Sequence, residues 1–236
     1  MKKNILFKKI YFSNGSFNEI LRKIDKGGLL VAPAASALVE IENDKEYYRS
    51  LVGSDVALLD SGFFCILLRI FKRIKVKKLS GYKFLKEFVN LKKNKNQVIL
   101  LIDPSKEDSI YNLEYLKLKE FKKIHSYIAP LYKDNKSFNN DKNLLKKISK
   151  FKPKFIIINI GGGKQEPLGF YIKKKVSKKI SIICTGAAIA FLTGKQAPIN
   201  DVVDKLYLGW AMRLIYNPIN TYKRFFNSFK LIKFFI

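Results

Sequence analysis

A glycine-rich turn directly after a continuous apolar run is the feature that most constrains how this chain folds. Residues 155–160 have the length of a buried strand, and the sequence Gly-Gly-Gly-Lys-Gln-Glu follows them. A buried strand that enters glycines and then a helix leaves backbone N–H groups available to an anion, and a neighbouring lysine adds positive charge. The turn therefore has the layout of a phosphate or nucleotide site. A tight strand-to-helix connection produces the same pattern about as often.

The length and the charge of the chain limit its organisation and its partners. A chain of 236 residues suits one large α/β domain, and we predict a core at residues 1–199 followed by a helical, basic and aromatic appendage at residues 200–236. The net charge is +27, with lysines spread along the whole sequence. An anionic membrane surface, a phosphorylated substrate or nucleic acid would each match this charge, and a lysine-rich codon bias would produce it without any partner.

Cysteine usage and hydropathy indicate a reducing, cytoplasmic location. Cys65 and Cys184 lie far apart in apolar surroundings, so neither a disulfide framework nor a zinc spacing is predicted. No segment approaches the roughly 20 apolar residues that span a bilayer, so we expect any membrane contact to be peripheral. An Asp-x-Asp pair and a His/Cys cluster are both missing from the sequence, and we expect no metal and no cofactor.

Short apolar segments alternate with amphipathic helices along most of the chain. This pattern predicts a Rossmann-like, largely parallel sheet with helices on both faces. The predicted strands are residues 29–32, 56–59, 98–102, 124–128, 155–160 and 180–184. The predicted helices begin after the capping box of Ser16 and Glu19 and continue with residues 44–51, 62–72, 81–91, 109–119, 142–150, 165–177, 202–216 and 222–236, with Pro218 as an interruption between the last two.

Several polar or glycine residues lie at the predicted carboxyl ends of strands. They are Asp60, Asp103, the segment from Gly161 to Glu166, and the pair Thr185 and Gly186. In parallel sheets ligands bind outside these ends, so we expect the residues to share one crevice. His125, the single histidine, lies on a predicted strand away from them, and we interpret it as structural.

Landmarks in register over most of the chain resemble the WecG/TagA/CpsF family of bacterial glycosyltransferases. They are Asp60 with Leu79-Ser80-Gly81 downstream, Gly163-Lys164-Gln165-Glu166, Gly186 with Gly194-Lys195, the segment from Leu208 to Pro218, and Lys223-Arg224. The resemblance implies a Rossmann-like core and a C-terminal appendage that reaches the membrane. It implies inverting transfer, without an obligatory metal, of an N-acetylmannosamine-type sugar from a UDP donor to a polyprenyl-diphosphate-linked acceptor. The expected setting is cell-surface polysaccharide synthesis at the inner face of the cell membrane.

The resemblance also assigns roles to individual residues. Asp60 is the expected catalytic base, and its position at a strand end supports this because the carboxylate projects into the crevice. A helix N-cap is the structural alternative for Asp60. Lys164, Arg213 and Arg224 are candidates for binding the diphosphate or the acceptor. The expected nucleotide-sugar-binding residues are Gly161, Gly162, Gly163, Lys164, Gln165, Glu166, Thr185 and Gly186.

Three alanines depart from the family pattern. Ala32 and Ala34 stand on the turn where the family usually carries Thr and Asn, and Ala190 stands where an Asp is typical. These changes indicate either a diverged branch with a different sugar or acceptor, or a catalytically inactive, membrane-associated scaffold. A basic nucleic-acid-binding protein is the alternative from another class, but scattered lysines and the lack of a recognised motif do not favour it. The sequence leaves a homo-oligomer open.

Overall fold

The structure is a computed structural model that describes residues 4–134, 137–196, 203, 212, 215–216 and 218–236. These residues form an eight-stranded sheet in the order β1-β2-β4-β3-β8-β7-β5-β6. β1 pairs with β2 in the antiparallel sense, and the other neighbours are parallel. The strands are β1 Asn4–Phe7, β2 Ile10–Ser13, β3 Gly28–Val31, β4 Val56–Leu58, β5 Val98–Asp103, β6 Lys123–Ile128, β7 Phe155–Ile158 and β8 Ser181–Cys184.

Helices connect the parallel strands, and most of them begin at a Ser or Asp cap that accepts a backbone N–H of the first turn. They are α1 Phe17–Ile24, α2 Ala35–Leu38, α3 Lys45–Val52, α4 Gly62–Lys72, α5 Gly81–Asn90, α6 Lys106–Leu118, α7 Lys142–Phe151, α8 Gln165–Lys175, α9 Ala188–Leu192 and α10 Pro218–Phe229. Short 3-10 turns occupy Val39–Ile41, Lys92–Asn94, Ser137–Asn140 and Lys230–Phe234. Within the described ranges, no helix is both long enough and apolar enough to cross a bilayer.

Both faces of the sheet are covered, as the alternation of its core residues shows. Leu29 and Val31 pack in a cluster with α2, α3, α4 and α8 on one face. Leu30 and Ala32 pack in a second cluster with α1, α5 and α9 on the other face. Successive side chains of a strand point to opposite faces, so an apolar strand between two helical layers buries every position. The predicted Rossmann-like α/β fold, with a largely parallel sheet, is confirmed.

The hairpin of β1 and β2 was missed by the sequence analysis. Its two turn residues, Lys8 and Lys9, have φ angles of 47° and 61°. Two-residue hairpin turns with positive φ at both positions usually carry Asn or Gly, which adopt this conformation at low cost. A pair of lysines therefore gives no turn signal. Phe7, Ile10 and Phe12 of the hairpin are buried in the core.

Two predicted helices begin three or more residues away from the observed ones. Helix α6 begins three residues earlier than predicted, because Ser105 accepts the N–H of Asp108 at 3.0 Å. Pro218 begins α10 instead of interrupting a helix, and a proline suits the first turn because its missing N–H has no helical partner there. α10 ends at Phe229 and a 3-10 turn follows. The predicted helix at residues 202–216 lies almost entirely outside the described residues.

The C-terminal segment packs on the core. Leu231 is fully buried, and the ring of Phe235 stacks on Phe7 with centroids 5.0 Å apart. Phe229 of α10 contacts Phe63 of α4 edge-on at 5.3 Å. These contacts join the segment to the β1–β2 hairpin and to α4. The proposed boundary between residues 199 and 200 stays a prediction.

We expect Leu231→Ala to lower the free energy of unfolding by about 2–5 kcal/mol, because it removes a fully buried leucine side chain from a packed core. Ile236→Ala is the matched control, since Ile236 is 94% exposed and its loss should change stability by less than about 0.5 kcal/mol. Urea unfolding followed by circular dichroism measures both. Equal stability of the two variants would contradict the docking of this segment on the core.

Candidate active site

Three adjoining cavities open at the carboxyl edge of the parallel strands. The first, which we call the crevice, has a volume of about 630 Å³ and is lined by the turns after β3, β4, β7 and β8. The second, the apolar cavity, has about 350 Å³ and lies between α4, α5 and α10. The third, the side cavity, has about 580 Å³ and lies between the glycine turn, α3 and α10. Arg224 lines all three.

The crevice collects most of the residues that the sequence predicted to lie together. Its lining includes Asp60, Gly161, Gly162, Gln165, Glu166, Thr185, Gly186 and Arg224. Gly163 lines the side cavity instead. The Oγ1 atom of Thr185 is buried without a hydrogen-bond partner among the described residues. Segments more than 100 residues apart thus meet at one edge of the sheet.

Asp60 lies where the crevice meets the apolar cavity, because it lines both. Its Oδ1 atom accepts the backbone N–H of Gly81 at 2.7 Å. The structural alternative, an N-cap for α4, is wrong, since Ser61 caps that helix by accepting the N–H of Phe64 at 3.2 Å. Asp60 is instead oriented by the first residue of α5, which lies 21 positions further along the chain.

Gly81 allows this contact because the start of α5 lies very close to two neighbouring turns. A Cβ atom at position 81 would lie 3.1 Å from the Cβ of Ala32 and 3.2 Å from the Cβ of Thr185. Such distances are shorter than ordinary van der Waals contact. Glycine is therefore the residue that lets the N–H reach Asp60, and the Leu79-Ser80-Gly81 landmark has a structural explanation.

Asp103 does not line the crevice, contrary to the prediction from its position at a strand end. It is fully buried, and its Oδ1 accepts amide N–H groups from Asn112 and Asn159, each at 2.7 Å. Burial raises its pKa, and the two amides partly offset this effect. Asn112 and Asn159 themselves line the crevice. Neither asparagine was predicted from the sequence as a site residue, although Asn159 was detectable as a polar residue near the end of an apolar run.

Glu166 and Gln165 connect the turns that follow β7 and β8. Glu166 Oε2 accepts the N–H of Gly163 at 2.8 Å, and Glu166 Oε1 accepts from the Gln165 amide at 3.1 Å. Gln165 Oε1 accepts the N–H of Gly186 at 2.9 Å. Both glycines have positive φ, 87° at Gly163 and 63° at Gly186, which side chains disfavour. We call this series of hydrogen bonds the Glu166–Gln165 bridge.

The environment of Glu166 alters its protonation. Its side chain is 1% exposed, and this burial raises its pKa to about 7. Hydrogen bonds from its own backbone N–H, from the N–H of Gly163 and from the Gln165 amide favour the charged form and offset part of this effect. The nearby charge of Asp60 adds a smaller increase of the pKa. A carboxyl group that changes charge near neutral pH thus lies at the floor of the crevice.

The predicted cations differ in their placement. Arg224 on α10 is exposed at the point where the three cavities meet. Lys164 lines none of them, and its Nζ donates to the carbonyl oxygen of Lys133 at 3.4 Å. Arg213 lies outside the described residues. The phosphate-binding roles of these three residues stay predictions.

Aromatic and aliphatic side chains from two separate helices form the apolar cavity. Phe63 and Ile66 come from α4, and Phe225 and Phe229 come from α10. The sequence predicted an aromatic, helical appendage that contains Phe225 and Phe229. The cavity itself could not be predicted, because its complementary wall belongs to a helix more than 150 residues earlier in the chain.

A comparison with known protein families identifies the family of the chain. The model of the glycosyl transferase WecG/TagA/CpsF family matches residues 5–236, nearly the whole chain. The chain belongs to this glycosyltransferase family. A search of curated proteins found no match. The three alanines that depart from the family pattern, Ala32, Ala34 and Ala190, all line the crevice of this family member.

The raised pKa of Glu166 has a consequence for stability. Because folding favours the protonated form, Glu166 adds stability at low pH that is lost as the pH rises through about 7. We expect the free energy of unfolding of the wild-type protein, relative to Glu166→Gln, to fall between pH 5 and pH 8. Urea unfolding of both proteins across this range measures the difference. A difference that is constant with pH would contradict the assigned protonation.

Proposed function

We propose that this family member is an inverting, metal-independent glycosyltransferase. It moves an N-acetylhexosamine-type sugar, similar to N-acetylmannosamine, from a UDP-sugar to a polyprenyl-diphosphate-linked acceptor in cell-surface polysaccharide synthesis. The observation that carries the proposal is the position of Asp60 between a crevice lined by glycine turns and a cavity lined by aromatic side chains. The first suits a nucleotide sugar, and the second suits a lipid-linked acceptor.

In this mechanism Asp60 acts as the general base. The acceptor enters from the apolar cavity, and its hydroxyl oxygen attacks the anomeric carbon of the donor sugar in the crevice. A bond forms between that oxygen and the carbon while the carbon–phosphate oxygen bond breaks, so UDP departs from the opposite side and the configuration inverts. Asp60 takes the hydroxyl proton, and the Gly81 N–H holds the carboxylate in place.

The departing diphosphate needs positive charge and hydrogen-bond donors. The backbone N–H groups of Gly161 and Gly162 donate no hydrogen bond within the described part of the chain, and both residues are exposed beside the crevice. They lie just before α8, where the helix dipole favours an anion. Arg224 faces this turn from the other wall. Donors that are already oriented stabilise the charge that develops on the leaving group.

The surface around the apolar cavity supports a peripheral location on an anionic membrane. Ile66 and Ile70 of α4 are 40% and 64% exposed, and Tyr222 and Phe226 of α10 are 56% and 51% exposed. Basic residues, Arg69 and Lys72 on α4 and Lys223 on α10, accompany them. Exposed aromatic and aliphatic groups beside cations suit a membrane interface, and the cavity then opens toward the lipid that carries the acceptor.

A second candidate, an inactive scaffold of the same fold, is favoured by one observation. Ala32, Ala34 and Ala190 line the crevice where polar side chains are usual in the family, so hydrogen bonds to the sugar are lost. Such a scaffold would bind UDP without turnover of any UDP-sugar. Turnover that depends on acceptor distinguishes the enzyme from the scaffold.

Asp60→Asn tests the base directly. The asparagine side-chain oxygen still accepts the Gly81 N–H, but it takes up no proton, so we expect UDP release to fall by about 100-fold or more while UDP affinity stays within threefold, a margin of about 0.7 kcal/mol. The measurement is UDP release from a panel of UDP-sugars with a detergent-solubilised polyprenyl-diphosphate-sugar acceptor. Unchanged turnover in Asp60→Asn would remove Asp60 from the chemistry.

Arg224→Ala tests whether the arginine that lines all three cavities binds the diphosphate. Loss of a cation that meets the diphosphate should raise the Kd for UDP by about tenfold, and the effect should shrink at high salt. Lys230→Ala is the matched control, because Lys230 is an exposed cation that follows α10 and lines none of the three cavities. Calorimetric titration with UDP measures both variants. Equal affinities would exclude Arg224 from the nucleotide site.

A further inference from the structure

We propose that Glu166 is a positioning residue that shapes the nucleotide site by holding the turns after β7 and β8 together, and that it does so only in its charged form. This inference rests on the proposed function, because it concerns the donor side of the same crevice. The Glu166–Gln165 bridge spans both turns with three hydrogen bonds of 2.8, 3.1 and 2.9 Å. Glu166 lines the crevice but is almost fully buried, so it acts through the backbone that it holds.

The hydrogen-bonding groups at the two ends of the bridge determine which donors and acceptors must lie between them. The N–H groups of Gly163 and Gly186 can only donate, so an acceptor must face each of them. A charged Glu supplies two acceptors and a Gln supplies one donor and one acceptor, which completes the series without a mismatch. Replacing Glu166 by a second amide leaves two donors facing each other at one link, whichever way the amides are turned.

Protonation of Glu166 has the same effect as this replacement. In a carboxylic acid the carbonyl oxygen remains a good acceptor, whereas the hydroxyl oxygen carries a donor proton and accepts only weakly. With that proton directed along the series there is one donor too many, and the Gln165 amide turns away from Gly186. The described ionisable groups that interact electrostatically with Glu166 are Asp60, Tyr47 and Cys184. Burial raises the pKa of Tyr47 and of Cys184, so both are neutral near pH 7 and Asp60 supplies the neighbouring charge.

The bridge therefore makes nucleotide binding dependent on pH. The raised pKa of Glu166, about 7, places the change within the physiological range. Above this pH the charged carboxylate connects the turns, and below it the link to Gly186 opens. We expect the affinity for UDP to increase as the pH rises from 5.5 to 8, because the intact bridge keeps the N–H groups of the glycine turn oriented toward the crevice.

An exchange of the two side chains tests the bridge. Glu166→Gln alone should weaken UDP binding at pH 8 by roughly tenfold, the order of effect of one buried mismatched donor, and should flatten the pH dependence. The double variant Gln165→Glu with Glu166→Gln restores the pattern, since the amide at position 166 accepts from Gly163 and donates to the carboxylate at position 165, which accepts from Gly186. It should recover most of the affinity. Glu114→Gln, at an exposed site on α6, is the matched control and should behave as the wild type.

Calorimetric titration with UDP at pH 5.5 and pH 8 and amide hydrogen exchange at Gly163 and Gly186 form the experiment. The inference predicts slow exchange at Gly186 in the wild type at pH 8 and in the double variant, after correction for intrinsic rates, and fast exchange in Glu166→Gln. Equal exchange rates in the three proteins, or a double variant no better than Glu166→Gln, would overturn it. If the exchange rates follow this prediction but the protein binds no UDP, the bridge is supported and the proposed nucleotide site is rejected. Amide exchange at Gly186 in the wild type at pH 5.5 and pH 8 needs neither a variant nor UDP, whose terminal phosphate changes charge in the same range. A variant that fails to fold therefore does not block the test, and equal protection of Gly186 at the two pH values, after correction for intrinsic rates, would overturn the inference.

Discussion

The pairing of β8 with both β3 and β7 is the constraint on which the site depends. Cys184, the last residue of β8, is in register with Val31 on one side and with Ile158 on the other. The three strands therefore end at one level, and their turns meet side by side. A slip of one residue would turn the buried side chains of a strand to the opposite face, which a sheet packed on both faces does not tolerate. The packing of the core thus fixes the register, and the register fixes the relative positions of the turns that form the site.

Carboxylate groups at the crevice give the site a local charge opposite to that of the whole chain. Asp60, Asp103 and Glu166 lie at or behind the crevice of a protein with a net charge of +27. The positive charge is spread over the surface and attracts anionic partners over a distance. The chemistry at the crevice depends instead on short contacts, because an N–H group 2.7 Å from a carboxylate outweighs distant charges that salt screens.

The sequence predicts the parallel core well because its apolar runs and helix caps are local signals. It fails where the signal is not local. The turn of Lys8 and Lys9 has an unusual backbone for its residue type, and Asp103 resembles a site residue until Asn112 and Asn159 are known to enclose it. The partner of Asp60 could not be predicted either, since the contact with Gly81 exists only when α5 packs against two other turns.

Under the proposed function, the alanines of the crevice affect which ligand is recognised more than they affect the support of Asp60. Ala32 and Ala34 remove polar groups near Asp60, but the carboxylate keeps its own support from Gly81. A site lined by methyl groups discriminates poorly between similar ligands. A site with hydrogen-bonding groups disfavours a ligand that lacks the matching partner by several orders of magnitude in kcat/KM. Under the proposed function, loss of such groups relaxes or shifts the choice of sugar. Asp60, the proposed base, and the Glu166–Gln165 bridge are both held by backbone N–H groups of neighbouring turns. The proposed mechanism therefore allows a change of substrate without rebuilding of the site.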